Sequence, residues 1–172
     1  MHGRRLLLPS LVTAAVLAGC AVPFKKKPPA PPAAPPVTIA APAETKTKAS
    51  MTLAAERNVN PDRSGRPSPV QVRVYQLKAA MAFQDSQFDP LYDDDKKVLG
   101  EAFVTRDDFT LAPGEKKTLE VSLAADTRFV GVVAVFRDVF DKDSQWHAVA
   151  PAPRKNLLVT LTGKRVSLMG TE

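Results

Sequence analysis

One thiol and two imidazoles are the only strongly nucleophilic or metal-seeking side chains in this 172-residue chain: Cys20, His2 and His147. A single Cys excludes an intrachain disulfide and a thiolate metal cluster. His2 is expected to leave with the N-terminal signal, so His147, which stands beside Trp146, has no second His and no Cys near it to complete a zinc site and reads as a structural or surface histidine. Asp93-Asp94-Asp95, with Asp85 and Asp89 upstream, lacks the alternating ligands, turn Gly and closing Glu of a calcium loop. Consecutive Asp side chains cannot all converge on one ion, whereas Asp in a turn or near a helix terminus is ordinary. No Gly-rich phosphate loop, Gly-x-Ser-x-Gly elbow or His-Glu-x-x-His stretch occurs. We therefore expect no enzyme, no metal site and no cofactor beyond a covalent group on Cys20.

The chemistry of Cys20 follows from what precedes it. Arg4 and Arg5 lead an apolar run from Leu6 to Leu17, too short for the ~20 apolar residues of a membrane span. Small residues then lead to Cys20. Leu17-Ala18-Gly19-Cys20 resembles a bacterial lipobox, in which the Cys sulfur takes a diacylglycerol. The signal is then cut between Gly19 and Cys20, and the new amine is acylated. Three acyl chains exceed the two signals that stable anchoring needs, at ~0.8 kcal/mol per buried CH₂. The residue after Cys20 is Ala21 rather than the Asp that retains such proteins in the inner membrane. The expected location is the outer membrane, lipid-anchored among outer-membrane lipids and facing the periplasm.

A net charge of +6 invites a nucleic-acid reading until the charges are located. Two leave with the signal, and Lys25, Lys26, Lys27, Lys46 and Lys48 stand against Glu44 alone in the segment that follows. From Ala49 onward seventeen basic and seventeen acidic side chains balance, so no basic face for DNA or RNA remains. Residues 20–48 also hold half of the sixteen prolines, which makes them a semi-rigid spacer of ~3.1 Å per residue. The three lysines near the lipid are either solvated or laid against anionic headgroups. The expected organisation is a signal at 1–19, a lipidated Cys with a Pro-rich tether at 20–48, and a folded domain at 49–172.

That domain reads as short strands separated by turn chemistry. Strands are predicted at Ser50 to Arg57, Glu101 to Thr105, Asp108 to Leu111 and Phe129 to Phe136. Trp146 to Ala150, Leu157 to Leu161 and Arg165 to Leu168 follow. Val70, Val72 and Val74 alternate with Gln71, Arg73 and Tyr75, the period-2 pattern of a strand buried on one face; Leu119, Val121 and Leu123 do the same. Pro113-Gly114 suits a type II turn, and Gly163-Lys164 a hairpin. Ala79 to Gln87, with Phe88, Leu91 and Tyr92, breaks the strand period and is helical. The fold class is all-β with a small helical insertion, a β-sandwich of seven to eight short strands. Asp138 to Asp143 read as turns with solvated charge.

The stretch from Asn58 to Pro69 cannot form a regular element, because Pro61, Pro67, Pro69 and Gly65 interrupt it. A loop of this length is either functional or a tolerated insertion. Its prolines would lower the entropy lost on binding. The candidate partner-binding residues are Asn58, Val59, Asn60, Pro61, Asp62, Arg63, Ser64, Gly65, Arg66 and Pro67. Of these, Asn60, Pro61, Asp62, Arg63 and Arg66 are expected to protrude most.

Several stretches in this order, behind the lipobox, resemble the TssJ (SciN) family of type VI secretion outer-membrane lipoproteins. They are Pro69 to Lys78, the Phe83/Phe88 helix, Tyr92 to Gly100, Leu111 to Glu115, Arg128 to Asp138, and Trp146. The long Pro-rich tether is a departure from it. The resemblance implies a transthyretin-like sandwich and no enzymatic activity. It also implies a role in anchoring the periplasmic C-terminal region of TssM to the outer membrane, with TssL in the same complex, through the loop between the first two strands. The rival is a lipoprotein that binds a small apolar ligand or cell-wall fragment, with Trp146 and Tyr75 as natural contacts.

Overall fold

The structure is a computed structural model that describes residues 46–153 and 155–171. The signal, Cys20 and the tether as far as Thr45 lie outside the described residues. In chain order the strands are β1 (Thr47–Ala55), β2 (Val70–Leu77), β3 (Phe103–Leu111), β4 (Lys116–Leu123), β5 (Phe129–Val135), β6 (His147–Pro151), β7 (Asn156–Thr162) and β8 (Arg165–Thr171). Between β2 and β3 come three short helices, α1 (Met81–Gln84), α2 (Phe88–Asp93) and α3 (Asp95–Leu99), and a 3₁₀ turn at Gly100–Ala102. β1 thus starts two residues inside the expected tether.

The strands form two four-stranded sheets, β4-β1-β7-β8 and β3-β2-β5-β6. All neighbours are antiparallel except β1 and β7, which run parallel with Leu53 opposite Val159. Period-2 alternation turns one face of each sheet inward, and Met51, Leu53, Val72, Val132, Val159 and Leu161 meet there with less than a few per cent of their surface exposed. The expected turns are present. Gly114 takes φ +80°, with the Glu115 N–H donating to the Ala112 carbonyl at 3.0 Å, and Gly163 takes φ +58° between β7 and β8.

Two strand expectations need correction. Glu101 to Thr105 and Asp108 to Leu111 are not separate strands but one edge strand, β3, because an edge position lets Arg106, Asp107 and Asp108 sit in a ladder without being buried. β2 is not buried on one face only. Arg73 and Tyr75 are buried along with the valines, because the helices cover the other face of the β3-β2-β5-β6 sheet.

Charge and aromatic contacts attach this cover. Asp94 caps α3 by accepting from the Lys97 N–H at 3.2 Å, and buried Asp95 pairs with Arg106 on β3. Arg106 also reaches Asp108 at 3.1 Å. Arg73 donates to the Tyr92 carbonyl at 2.8 Å and lies 3.9 Å over the Tyr92 ring. The run Asp93 to Asp95 therefore serves as a helix cap and a tie to the sheet.

Candidate functional site

The loop from Glu56 to Pro69 leaves the end of β1 opposite to Thr47, and hydrogen bonds from the Asp62 and Asn60 side chains help to fix its shape. The Asp62 carboxylate accepts from the N–H groups of Ser64 at 2.8 Å and Arg66 at 3.0 Å, and from Arg66 Nε at 2.9 Å. The backbone closes the same turn, with the Asp62 N–H donating to the Arg66 carbonyl at 2.8 Å. These donors, the Arg66 N–H first, hold the Asp62 carboxyl below the usual carboxylate range. Gly65 supplies the positive φ of +78° that the tip requires.

Two of the expected protruding or partner-facing residues do the opposite. Val59 is fully buried in the inter-sheet core, and Asn60 is 3 % exposed. Asn60 sits at φ +49°, which Asn tolerates better than other side-chain-bearing residues. Its Nδ2 donates to the Pro69 carbonyl at 2.6 Å, its Oδ1 accepts from the Arg137 N–H at 2.8 Å, and its own N–H donates to the Gly163 carbonyl at 2.7 Å. Asn60 thus ties the β1–β2 loop to the two neighbouring loops. Arg63, Ser64, Arg66 and Pro67 are exposed as expected, and Asn58 is exposed at the loop's start, while Pro61 and Asp62 are half-buried.

The β5–β6 connection beside it is a run of turns with largely exposed charge, as read from the sequence, and an ion pair braces it. Lys164 Nζ lies 2.9 Å from Asp138 Oδ2 and 2.9 Å from Asp141 Oδ2. The two carboxylates raise the Lys164 pKa, with Asp141 contributing most. Between the two Asp, Val139 is buried and Phe140 stands 74 % exposed. Phe140 meets Phe88 edge-on at 6.0 Å, and the two share a groove of about 390 Å³ with Trp146 and Pro90. The β1–β2 tip, Arg137, Asp138 and Lys164 surround a second cavity of about 530 Å³. Arg137 and Lys164 were missed in sequence because nothing local marks two residues 27 positions apart as neighbours of this loop. The aromatic Phe140 enclosed by two Asp was the one visible hint.

The other candidate residues are placed in packing roles. Tyr75 is fully buried, with Phe83 at 5.5 Å and Phe103 at 6.5 Å, so it is not an exposed ligand contact. His147 lies tilted against Trp146, with ring centroids 4.0 Å apart, and meets Phe83 edge-on at 5.8 Å. Burial pushes its pKa below the ordinary imidazole value, partly offset by a hydrogen bond with the Gln84 backbone. Among the described residues, no group of three or more His, Asp or Glu is arranged to hold a metal ion. Cys20 and Gly19 lie outside the described residues.

An antiparallel sandwich that presents two mutually tied, charged loops at one end is suited to contact another macromolecule by shape and charge. The sequence model of the T6SS-SciN family, described as "Type VI secretion lipoprotein, VasD, EvfM, TssJ, VC_A0113", matches residues 47–168. The chain belongs to this family of type VI secretion lipoproteins. Its fold is similar to that of the lipoprotein TssJ1 from Pseudomonas aeruginosa, with a TM-score of 0.69 and 31% identity over 74% of this chain and 98% of that one. Lip from Serratia marcescens, a membrane-bound component of the same kind of system, gives 0.65 and 25% over 74% and 99%. A chain of a type VI membrane complex gives 0.64 and 25% over 73% and 99%. No curated protein matches the chain.

Proposed function

We propose that the chain is the outer-membrane anchor of a type VI secretion membrane complex. Lipidated Cys20 holds it in the outer membrane, the Pro-rich tether supplies reach, and the β1–β2 loop docks the periplasmic C-terminal region of TssM, with TssL in the same assembly. The observation that carries this reading is the build of the loop. Asp62 and Asn60 fix its backbone before any partner arrives, so little conformational entropy is lost on binding. Family membership and the likeness to a chain of a type VI membrane complex support the same reading.

The test must spare Asn60, whose loss would loosen three loops at once. Deletion of residues 62–66 should abolish co-purification with TssM while the thermal transition persists. Undiminished capture would remove the loop from the mechanism. In the same cells, Cys20→Ser should leave the outer-membrane fraction and lose secretion.

A further inference from the structure

The 530 Å³ cavity at the loop end carries more positive charge than its surroundings explain. Arg63, Arg66, Arg137 and Lys164 line it, against Asp62 and Asp138. The domain as a whole is formally neutral, so this surplus is local. Its carboxylates are also already engaged. Asp62 holds Arg66 at 2.9 Å, and Asp138 shares Lys164 with Asp141. Among the described residues, Arg63 and Arg137 make no ion pair, although both line the same space and Arg137 is near enough to Asp62 to help lower its pKa.

The backbone under both guanidinium groups is fixed. The Arg137 N–H is held by Asn60, and Arg63 lies inside the turn that Asp62 closes. Two planar donor forks on fixed backbone, facing one polar cavity, are matched to carboxylates, which Arg engages in paired hydrogen bonds. We propose that the cavity is a carboxylate-reading site, in which Arg63 and Arg137 receive an acidic segment of the protein that docks at the β1–β2 loop. This rests on the docking role proposed above and adds the chemistry of the partner. A flat anionic bilayer fits less well. It would bring phosphates against Asp62 and Asp138 as well, whereas a single carboxylate needs to meet only the arginine forks. The cavity also opens at the end of β1 away from Thr47, where the tether joins.

The test uses the full chain carrying Cys20→Ser, so that no acyl chain masks surface binding, and titrates it against the TssM periplasmic C-terminal region at 50 and 300 mM NaCl. The unsubstituted surface should lose about tenfold in affinity across that salt range, chiefly in the association rate. Arg63→Ala with Arg137→Ala should weaken binding about tenfold at low salt and flatten the salt dependence, and the double Glu variant should weaken it about a hundredfold. Both positions are exposed, so the melting transition should stay in place. Wild-type affinity and salt slope in the double Ala variant would overturn the proposal. If deletion of residues 62–66 still abolished binding in that case, the docking loop would survive without the carboxylate site; if the deletion also bound normally, both readings would fall. A last arm uses vesicles with and without anionic lipid. Arg63- and Arg137-dependent binding to anionic vesicles, with TssM binding unchanged, would assign the cavity to headgroups and overturn the proposal.

Discussion

Between the sheets the chain packs mainly Met, Leu, Val and Ala, most of them from alternating strand positions, whereas beneath the helices it packs Tyr75, Phe83, Phe103 and their ring neighbours at tilted and edge-on angles. The first cluster needs only burial and shape, and its members carry no polar atoms to satisfy. The second is threaded with polar groups: Arg73 over Tyr92, Asp95 on Arg106, His147 on Trp146, and a Tyr75 hydroxyl with no hydrogen-bond partner among the described residues. An aliphatic layer specifies that two sheets stack. The aromatic and charged layer specifies where one particular insertion sits. Trp146 packs against both, so the β5–β6 loop that ends at Trp146 depends on each. The loop end is therefore a product of both clusters.

This division makes the largest prediction. Leu53 is fully buried at the centre of β1, so Leu53→Ala should cost about 2–5 kcal/mol and lower the urea midpoint of the whole domain. Leu91→Ala on α2 removes a comparable side chain from the other cluster. Its amide-exchange acceleration should concentrate in residues 79–102 and leave β1 and β7 protected. Equal acceleration in β1 and β7 would show that the two clusters melt as one, and the contrast would be lost.

A smaller effect sharpens the same contrast at one atom. Gly131 lies in β5 directly under Phe83, and a Cβ there would stand 2.7 Å from the ring's Cζ. Phe83 is fully buried and cannot swing clear. The glycine is thus a seat for the helical insertion, not a turn residue. Gly131→Ala should destabilise by about 1–3 kcal/mol. Phe83→Leu in the same chain should recover part of that loss, a non-additivity measurable in a double-mutant cycle. Strict additivity would mean that the close approach is not what requires glycine.

The inter-sheet cluster was legible in the sequence because alternation is local information. Val70, Val72 and Val74 announce an inward face without reference to anything distant. The second cluster was not legible, because the same alternation assigned Arg73 and Tyr75 to solvent. What buries them is a segment whose docking depends on pairs such as Asp95 with Arg106, across β3. The loop end divides the same way. Composition located the β1–β2 loop between Asn58 and Pro69. It did not show that Asn60 points inward, because the Arg137 N–H that Asn60 satisfies lies 77 residues on. Nor could it show Lys164 gathering Asp138 and Asp141 from another hairpin. Local pattern gives faces and turns, while the functional surface is made of long-range polar pairs.

The smallest prediction separates the clusters by pH. His147 belongs to the aromatic layer and is the only imidazole among the described residues, with burial holding its folded-state pKa below the ordinary value near ~6.5. Above that value the ring is neutral in both states and its packing contributes in full. As pH falls below it, the unfolded chain takes up the proton first, so stability declines until the folded-state pKa is also passed. Urea midpoints measured from pH 7.5 to 5 should therefore drift downward. His147→Phe keeps a ring against Trp146 and Phe83 but has nothing to protonate, so it should flatten the drift. The aliphatic cluster has no titrating member, and Leu53→Ala should lower the whole curve while leaving its slope unchanged. A slope that persisted in His147→Phe would show that the drift between pH 7.5 and 5 does not arise from this ring, since Asp62 and Asp141, whose pKa values are lowered, lose their contribution only below that window.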